Sequence, residues 1–271
     1  EHGAPGSQNL KLTRKYYTED MPDGRVKHIV QNITDPDIVP YIPDGIGNST
    51  DRQRIPAVLI IPGGAFRRLV YNFEGEDVAK WLNSMGIAAF VLECRLPSDE
   101  HDNAEDVPLI DAMRAMRVIR GRAQEFGIDE AKIGVMGFSA GGFMAALLST
   151  AYESDVYADY KYKDEYDKLS ARPDFAVCSY PVISIDDCIE AGKRYMSEEQ
   201  VLERISDSKA KILHKYNPDK LVRPDMPPVF ICETDDDRTT LSENSVGFYM
   251  AARKAGVSAE LHIFRTGGHG Y

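Results

Sequence analysis

A chain of 271 residues, 43% hydrophobic and 28% charged, is long enough to bury one large core and has no compositional bias toward disorder. Its 32 basic and 43 acidic residues leave a formal charge of -11, which repels phosphate backbones and anionic lipid surfaces and argues against nucleic acid or membrane partners. No apolar run reaches the roughly 20 residues that cross a bilayer, and the start of the chain lacks a basic stretch followed by an apolar one, so a soluble protein without an uncleaved signal is expected.

Residues 1–24 read as an N-terminal extension, with a single domain expected over 25–271. The stretch 25–41 (RVKHIVQNITDPDIVPY) has the look of short strands broken by turn residues, which suits an antiparallel sheet edge. Sequons at Asn32 and Asn48 match a pattern short enough to arise by chance and carry no weight.

From there apolar β-branched runs alternate with helix-period segments. Strands are predicted at 57–61 (AVLII), 88–94 (AAFVLEC), 132–138 (KIGVMGF), 175–182 (FAVCSYPV), 228–233 (PVFICE) and 259–264 (AELHIF). Several are continuously apolar, as strands buried on both faces are. Helices are predicted at 74–84, 104–126, 140–152 and 242–255, the second carrying a core stripe of Leu109, Met113, Met116 and Ile119. The segment 154–173, rich in tyrosine and charge, reads equally well as a solvated insertion and as a cap bordering a ligand site. The pattern predicts an α/β fold: a mostly parallel central sheet with helices on both faces and an antiparallel N-terminal edge.

Chemistry concentrates around Gly137-Phe138-Ser139-Ala140-Gly141. A G-x-S-x-G pentapeptide alone is cheap, but here a strand runs into it and a helix leaves it, as a serine held on a strained strand-to-helix turn requires. A hydroxyl is a weak nucleophile, so a base must take its proton and an acid must orient that base. On such a fold the acid and then the histidine follow the serine in chain order. His269 lies in a glycine frame after the last strand, while the other five histidines are terminal or sit in strand-like and charged stretches, so His269 is the candidate base. The acid belongs to the run Asp235-Asp236-Asp237 after the strand PVFICE, with strand alternation and loop direction deciding among the three. Donors to a developing oxyanion are expected from the amides of Gly64 and Ala65, after the strand ending IIPGGAF, and of Ala140 behind the nucleophile.

Cys94, Cys178, Cys188 and Cys232 are scattered, without metal-ligand spacing, and read as structural thiols; no metal or organic cofactor is expected.

The set IIPGGAF, EGEDVAKWLNSMGIAAFVLECRLP, PLIDAMRAMRVIR, GVMGFSAGGF, DKLSARPDFAVCSYPVIS and ELHIFRTGGHGY resembles the acetyl xylan esterase-like bacterial esterase/lipase family of α/β-hydrolases, from about Arg25 onward. The resemblance implies a serine esterase acting on small acyl groups, acetyl above all, carried by plant-type polysaccharides or oligosaccharides. Aligning the aspartate run with the family's D-D-x-V-V-P loop implies Asp236 as the acid beside Ser139 and His269, with Asp235 the first alternative and the remaining aspartates on a solvated loop or paired with Arg238. Three departures stand out: PGGA where PGGG or HGGG is usual, Glu93 where a tyrosine precedes the arginine, and Thr239-Thr240 in place of valines. Ala65 still donates its amide, its methyl narrowing the acyl site, and Glu93 is expected to pair with Arg95, with contact to substrate hydroxyls the alternative. The family also continues beyond the position of Tyr271 into a covering helix. A periplasmic or secreted location would suit a polysaccharide substrate, with a cytoplasmic one the alternative. Rival readings are a prolyl-oligopeptidase-like peptidase, which usually carries a propeller that does not fit here, and a catalytically silent binding module, which commonly lacks the nucleophile or base that this chain keeps.

Overall fold

In a computed structural model of the chain, the structure describes residues 4–45, 54–158, 164–194, 197–204 and 207–271. The second sequon, at Asn48, lies outside the described residues, as does the side chain of Cys188.

The strands are β1 (Lys15–Asp20), β2 (Val26–Gln31), β3 (Asp37–Tyr41), β4 (Ile55–Ile61), β5 (Leu69–Val70), β6 (Ala88–Glu93), β7 (Ile128–Phe138), β8 (Ala176–Ser179), β9 (Val229–Thr234) and β10 (Ala259–Phe264). The main sheet has the order β10-β9-β8-β7-β4-β6-β3, parallel throughout except for β3, which runs antiparallel to β6 at the edge. The continuously apolar runs do lie in the middle: every residue of β6 and the last five of β4 are buried. Strands β1, β2 and β5 form a separate antiparallel sheet.

The covering helices are α1 (Asp77–Ser84), α2 (Val107–Gly121), α3 (Ala123–Phe126), α4 (Ala140–Ala151), α5 (Ile185–Lys193), α6 (Glu198–Arg204), α7 (Asp207–Lys215) and α8 (Ser242–Lys254). The stripe Leu109, Met113, Met116 and Ile119 is buried along α2 within the larger core cluster, together with α4, which is buried along nearly its whole length. A second cluster, on the α1 face, joins Val58, Ile60, Ala79, Leu82 and Val91. The helix expected over 104–126 is split at Arg122 into α2 and α3, and the one expected from residue 74 begins as a π-turn over Asn72–Glu76 before α1.

The N-terminal segment is not an appendage. Lys15–Asp20 pairs with β2, and Ala4 and Ser7 are buried against the body of the protein. Its anchor is Arg95, whose Nη1 donates to Pro5 O at 2.6 Å and to Ser7 Oγ at 3.1 Å. Arg95 does not pair with Glu93: it binds Asp111 on α2 through Nε and Nη2, and both side chains are almost wholly buried. Glu93 faces Arg14 Nη1 at 2.9 Å and Tyr16 Oη at 3.0 Å instead. The cause is that β6 ends at Glu93, after which Cys94, Arg95 and Leu96 turn into the α2 side of the sheet.

Of the tyrosine-rich stretch 154–173, residues 159–163 lie outside the described set. The rest packs on α2: Asp164 holds Arg114, the Arg117 guanidinium sits 4.1 Å from the centre of the Tyr157 ring, and Tyr166 and Leu169 flank Gly121. With Arg120, Gly121 and Glu130, the residues Glu165, Tyr166 and Leu169 line a hollow near the start of β7, at the sheet end opposite Ser139.

Candidate active site

Strand β7 ends at Phe138 and α4 begins at Ala140, so Ser139 alone makes the turn, at φ 52° and ψ −116°. A non-glycine residue held there costs about 1–3 kcal/mol, and the surroundings enforce it. The Ser139 amide donates to Ser179 O at 3.0 Å, and its carbonyl accepts from Phe143 N at 3.0 Å and Val182 N at 3.3 Å. The flanking glycines are obligatory on space: a Cβ on Gly137 would strike the backbone of Gly141, and a Cβ on Gly141 would strike the carbonyl of Ile61. The close approach of α4 to the end of β4 thus sets the serine beside the loop that follows β4.

His269 bridges the group. Its Nε2 lies 2.9 Å from Ser139 Oγ and its Nδ1 lies 2.7 Å from Asp237 Oδ2. The acid touching the imidazole is therefore Asp237, and the expectation of Asp236 is corrected. After β9 the chain turns through Asp235 and Asp236, with Asp237 N donating to Thr234 O, and this directs the Asp237 side chain inward. There its Oδ1 accepts the amides of Thr239 at 2.7 Å and Thr240 at 3.0 Å, and its Oδ2 accepts from Thr240 Oγ1 at 2.9 Å. Burial alone would raise this carboxyl; the hydrogen bond and charge of His269 and the two amides outweigh it and hold Asp237 below the usual carboxylate range. The Thr239-Thr240 pair, a departure from the family's valines, thus supplies a hydroxyl as well as amides.

Asp236 points outward and has a different task. Its Oδ1 accepts the amides of Gly267 at 2.9 Å and Gly268 at 2.8 Å, and these bonds, that of Gly268 foremost, lower its carboxyl. Thr234 Oγ1 donates to Gly268 O at 2.9 Å from the end of β9. Together they pin the turn that carries His269. Asp235 continues the β9–β10 pairing, its amide donating to Phe264 O.

Beyond β4 the loop reads Gly63, Gly64, Ala65 and Phe66, with φ of 136°, 58° and 61° at the last three. Left-handed backbone costs roughly 1–2 kcal/mol at each non-glycine residue, so Ala65 and Phe66 hold strain that the loop's anchors must offset. Val70 N donates to Gly63 O at 2.9 Å and Arg67 N to Gly64 O at 3.2 Å. The Phe66 ring is buried edge-on against Phe143 of α4, centroids 5.5 Å apart. The loop therefore lies on the α4 N-terminus, where the first amide, that of Ala140, is left free of intrahelical bonding. Phe66 thereby ties the loop that carries Gly64 and Ala65 to the helix that Ala140 begins.

Two further residues of the site lie inside the stretches EGEDVAKWLNSMGIAAFVLECRLP and DKLSARPDFAVCSYPVIS, with no role that the sequence assigns them. Glu74, on the π-turn, accepts Gly63 N at 2.7 Å through Oε2 and Tyr180 Oη at 3.2 Å through Oε1. Tyr180, held at φ 37°, sets its ring 5.0 Å from the His269 imidazole in an edge-on arrangement. A π-turn is itself a signal of function in a structure, but its sequence, NFEGE, reads as ordinary helix.

Beside Gly63 and Ala140 lies an apolar slot of about 10 Å³, walled by Phe66, Leu69, Cys94, Leu96, Pro108 and Met144. That is room for one group the size of a water molecule. Among the described residues, no group of three or more His, Cys, Asp or Glu side chains is placed to hold a metal ion. Cys94 and Cys178 are buried, unbridged thiols, and Cys232 Sγ donates to Ser179 Oγ at 3.3 Å.

The chain matches the model of the BD-FAE family over residues 46–251. It is 31% identical to an acetylxylan esterase of Xylanibacter ruminicola over 217 residues, 79% of this chain and 41% of that protein. It is also 31% identical to the endo-1,4-beta-xylanase B of Butyrivibrio fibrisolvens over 221 residues, 81% of this chain and 33% of that one. The chain thus spans less than half the length of these curated relatives. A crystal structure of an acetyl ester-xyloside bifunctional hydrolase from Caldicellulosiruptor lactoaceticus superposes with a TM-score of 0.69 at 37% identity, covering 86% of this chain and 79% of that one. The carboxylesterase Cest-2923 of Lactobacillus plantarum, at 22% identity and a TM-score of 0.67 over 96% of this chain and 85% of its own, shares the fold. The matched stretch takes in the loop after β4, Ser139 and the three aspartates, and the chain belongs to the BD-FAE family of α/β-hydrolases.

Proposed function

We propose that this protein is a serine carboxylic ester hydrolase that removes small acyl groups, acetyl in particular, from plant-type polysaccharides or oligosaccharides. The observation that carries the reading is His269 hydrogen-bonded at once to Ser139 Oγ and to Asp237. In this mechanism Ser139 Oγ attacks the ester carbonyl carbon as His269 Nε2 takes its proton, and Asp237 holds the imidazole by Nδ1 and stabilises the imidazolium. The tetrahedral oxyanion is met by the amides of Ala140, Gly64 and Ala65. His269 then returns the proton to the departing alcohol oxygen, leaving an acyl-serine, and a water activated by the same imidazole releases the carboxylic acid.

The acetyl preference is supported by the names of two relatives, an acetylxylan esterase and an acetyl ester-xyloside bifunctional hydrolase, and the small apolar slot beside Gly63 and Ala140 accords with a small acyl group. The net negative charge accords with a neutral substrate. An intact polysaccharide is too large to enter a cell, so for that substrate the reading favours the periplasm or the cell exterior, whereas an imported oligosaccharide would suit a cytoplasmic enzyme.

The test compares wild type with Ser139→Ala on p-nitrophenyl acetate, p-nitrophenyl esters of longer acids, and acetylated xylan. Acetate release by wild type that falls with acyl length and vanishes in the variant is expected, as is a single organophosphonate adduct on Ser139. Undiminished hydrolysis by the variant would refute the reading.

A further inference from the structure

We propose that Glu74 is a positioning residue of this site: its carboxylate fixes the strained loop that carries the Gly64 and Ala65 amides and, through Tyr180, ties that loop to the edge of the His269 imidazole. The inference rests on the acyl-transfer reading of Ser139 and gives a task to a residue that the sequence leaves without one.

Three observations carry it. First, Glu74 Oε2 takes the Gly63 amide at 2.7 Å, and Gly63 is packed so closely that an added Cβ would lie 2.8 Å from that oxygen and 3.0 Å from Ser139 Cβ. The carboxylate therefore stands on the floor of the site, close to the nucleophile. Because the Gly63 amide is spent on Glu74, that donor is not free for substrate, which leaves the amides of Gly64 and Ala65 as this loop's candidates. Second, the loop after Gly63 runs through three successive positive φ values, two of them at non-glycine residues, a path that persists only when its ends are held. Val70 N holds the Gly63 carbonyl and Glu74 holds the Gly63 amide, so the peptide groups on both sides of the Gly63 Cα are fixed before the strained residues begin.

Third, the other carboxylate oxygen accepts Tyr180 Oη at 3.2 Å, and the Tyr180 ring meets His269 edge-on with centroids 5.0 Å apart. One carboxylate thus spans the loop that stabilises the oxyanion and the wall against which the base rests. The π-turn that delivers it is clamped by Asn72, whose Oδ1 accepts His28 N at 2.9 Å and whose Nδ2 donates to Val26 O at 2.8 Å. Burial pushes the Glu74 carboxyl up, and the Gly63 amide, the His269 charge and the Tyr180 hydroxyl oppose that rise, which is the balance expected of a carboxylate enclosed for position and not for solvation.

The experiment measures kcat and KM for p-nitrophenyl acetate, inhibition by phenylboronic acid, which adds to the serine and mimics the tetrahedral oxyanion, and melting temperature, for wild type, Glu74→Ala, Glu74→Gln, Glu74→Asp and Tyr180→Phe. Loss of loop positioning predicts a fall in kcat of about 100-fold in Glu74→Ala with KM changed less than about threefold, as when an oxyanion donor is lost. Boronate affinity should fall in parallel with kcat/KM. Glu74→Gln, which keeps an oxygen for Gly63 N–H, should recover to within about tenfold of wild type, and Tyr180→Phe should lie between. If Glu74→Ala does not fold, Glu74→Asp decides, because one methylene less withdraws the carboxylate from Gly63 and predicts the same loss in kcat. A folded variant lacking the contact with kcat within threefold of wild type, a loss confined to KM, or unchanged boronate affinity would overturn the proposal. Inactive wild type or active Ser139→Ala sinks the esterase reading itself, whereas active wild type with an unaffected Glu74→Ala sinks only the role of Glu74.

Discussion

Asp237 Oδ2 lies 2.7 Å from His269 Nδ1, while its neighbour Asp236 faces away and holds the backbone of the turn on which His269 is mounted. Adjacent carboxylates therefore divide the work, one on the imidazole and one on its support. Asp237→Asn should lower kcat by about 10³–10⁴-fold through loss of the correct imidazole tautomer and of imidazolium stabilisation. Asp236→Ala should lower it by less than about tenfold, since Thr234 still holds the Gly268 carbonyl. Steady-state kinetics on p-nitrophenyl acetate check the order of the two effects, and the reverse order would reassign the acid.

Glu233 is fully buried at the end of β9, accepting Thr234 N at 3.0 Å and Ser245 Oγ at 3.3 Å. Burial, with the nearby Asp237 charge adding to it, pushes its carboxyl up to about 8. The folded state therefore keeps a proton that the unfolded chain releases near its ordinary value of 4.5. The stabilisation is complete below that value, is lost as pH rises toward 8, and changes no further above it. At about 1.4 kcal/mol per unit the loss is several kcal/mol at most. Asp237, lowered in the fold, acts oppositely: its contribution is present above its unfolded value and is lost as pH falls. Urea unfolding of wild type between pH 5 and 8.5 should show declining stability, and Glu233→Gln should flatten the decline.

The Arg95–Asp111 pair is buried, with Nη2 to Oδ1 at 2.6 Å and the Arg95 amide to Oδ2 at 2.8 Å. Arg95→Met would strand the aspartate in the core, at a cost of about 3–5 kcal/mol. Replacing both, as in Arg95→Met with Asp111→Leu, should recover most of that loss. Because Arg95 also holds Pro5 and Ser7, both variants should expose the first residues to limited proteolysis even where global stability is restored.

Gly141 meets the Ile61 and Pro62 carbonyls where α4 approaches β4. Gly141→Ala should destabilise the fold by about 1–3 kcal/mol, as overpacking does. The added methyl must part Ser139 from the loop after β4, so organophosphonate labelling of Ser139 should slow by about 100-fold or more, an effect on the scale of losing an oxyanion donor. Labelling at the wild-type rate in folded variant would show that the loop does not depend on this contact.

The strands were legible because β4 and β6 are apolar along their length, and a parallel strand buried on both faces has no other way to be written. The seryl turn was legible because Gly137 and Gly141 have no space for a side chain. Glu74 was not legible. A single glutamate in a helix-period stretch has no pattern of its own, and its use depends on Gly63 and Tyr180, distant by 11 and 106 positions. The expected pairing of Glu93 with Arg95 failed for a related reason: closeness in sequence says nothing about the bend after β6 that sends Arg95 to α2.

By itself the sequence determined the α/β architecture, the strained turn at Ser139 and a histidine placed after the last strand, since each depends on local periodicity, on glycine where space is lacking, or on order along the chain. Which of three consecutive aspartates reaches His269 was decided only by the tertiary structure. The answer depends on where β9 releases the chain at Thr234 and on the Thr239 and Thr240 groups that draw one carboxylate inward, leaving its neighbour to the amides of Gly267 and Gly268.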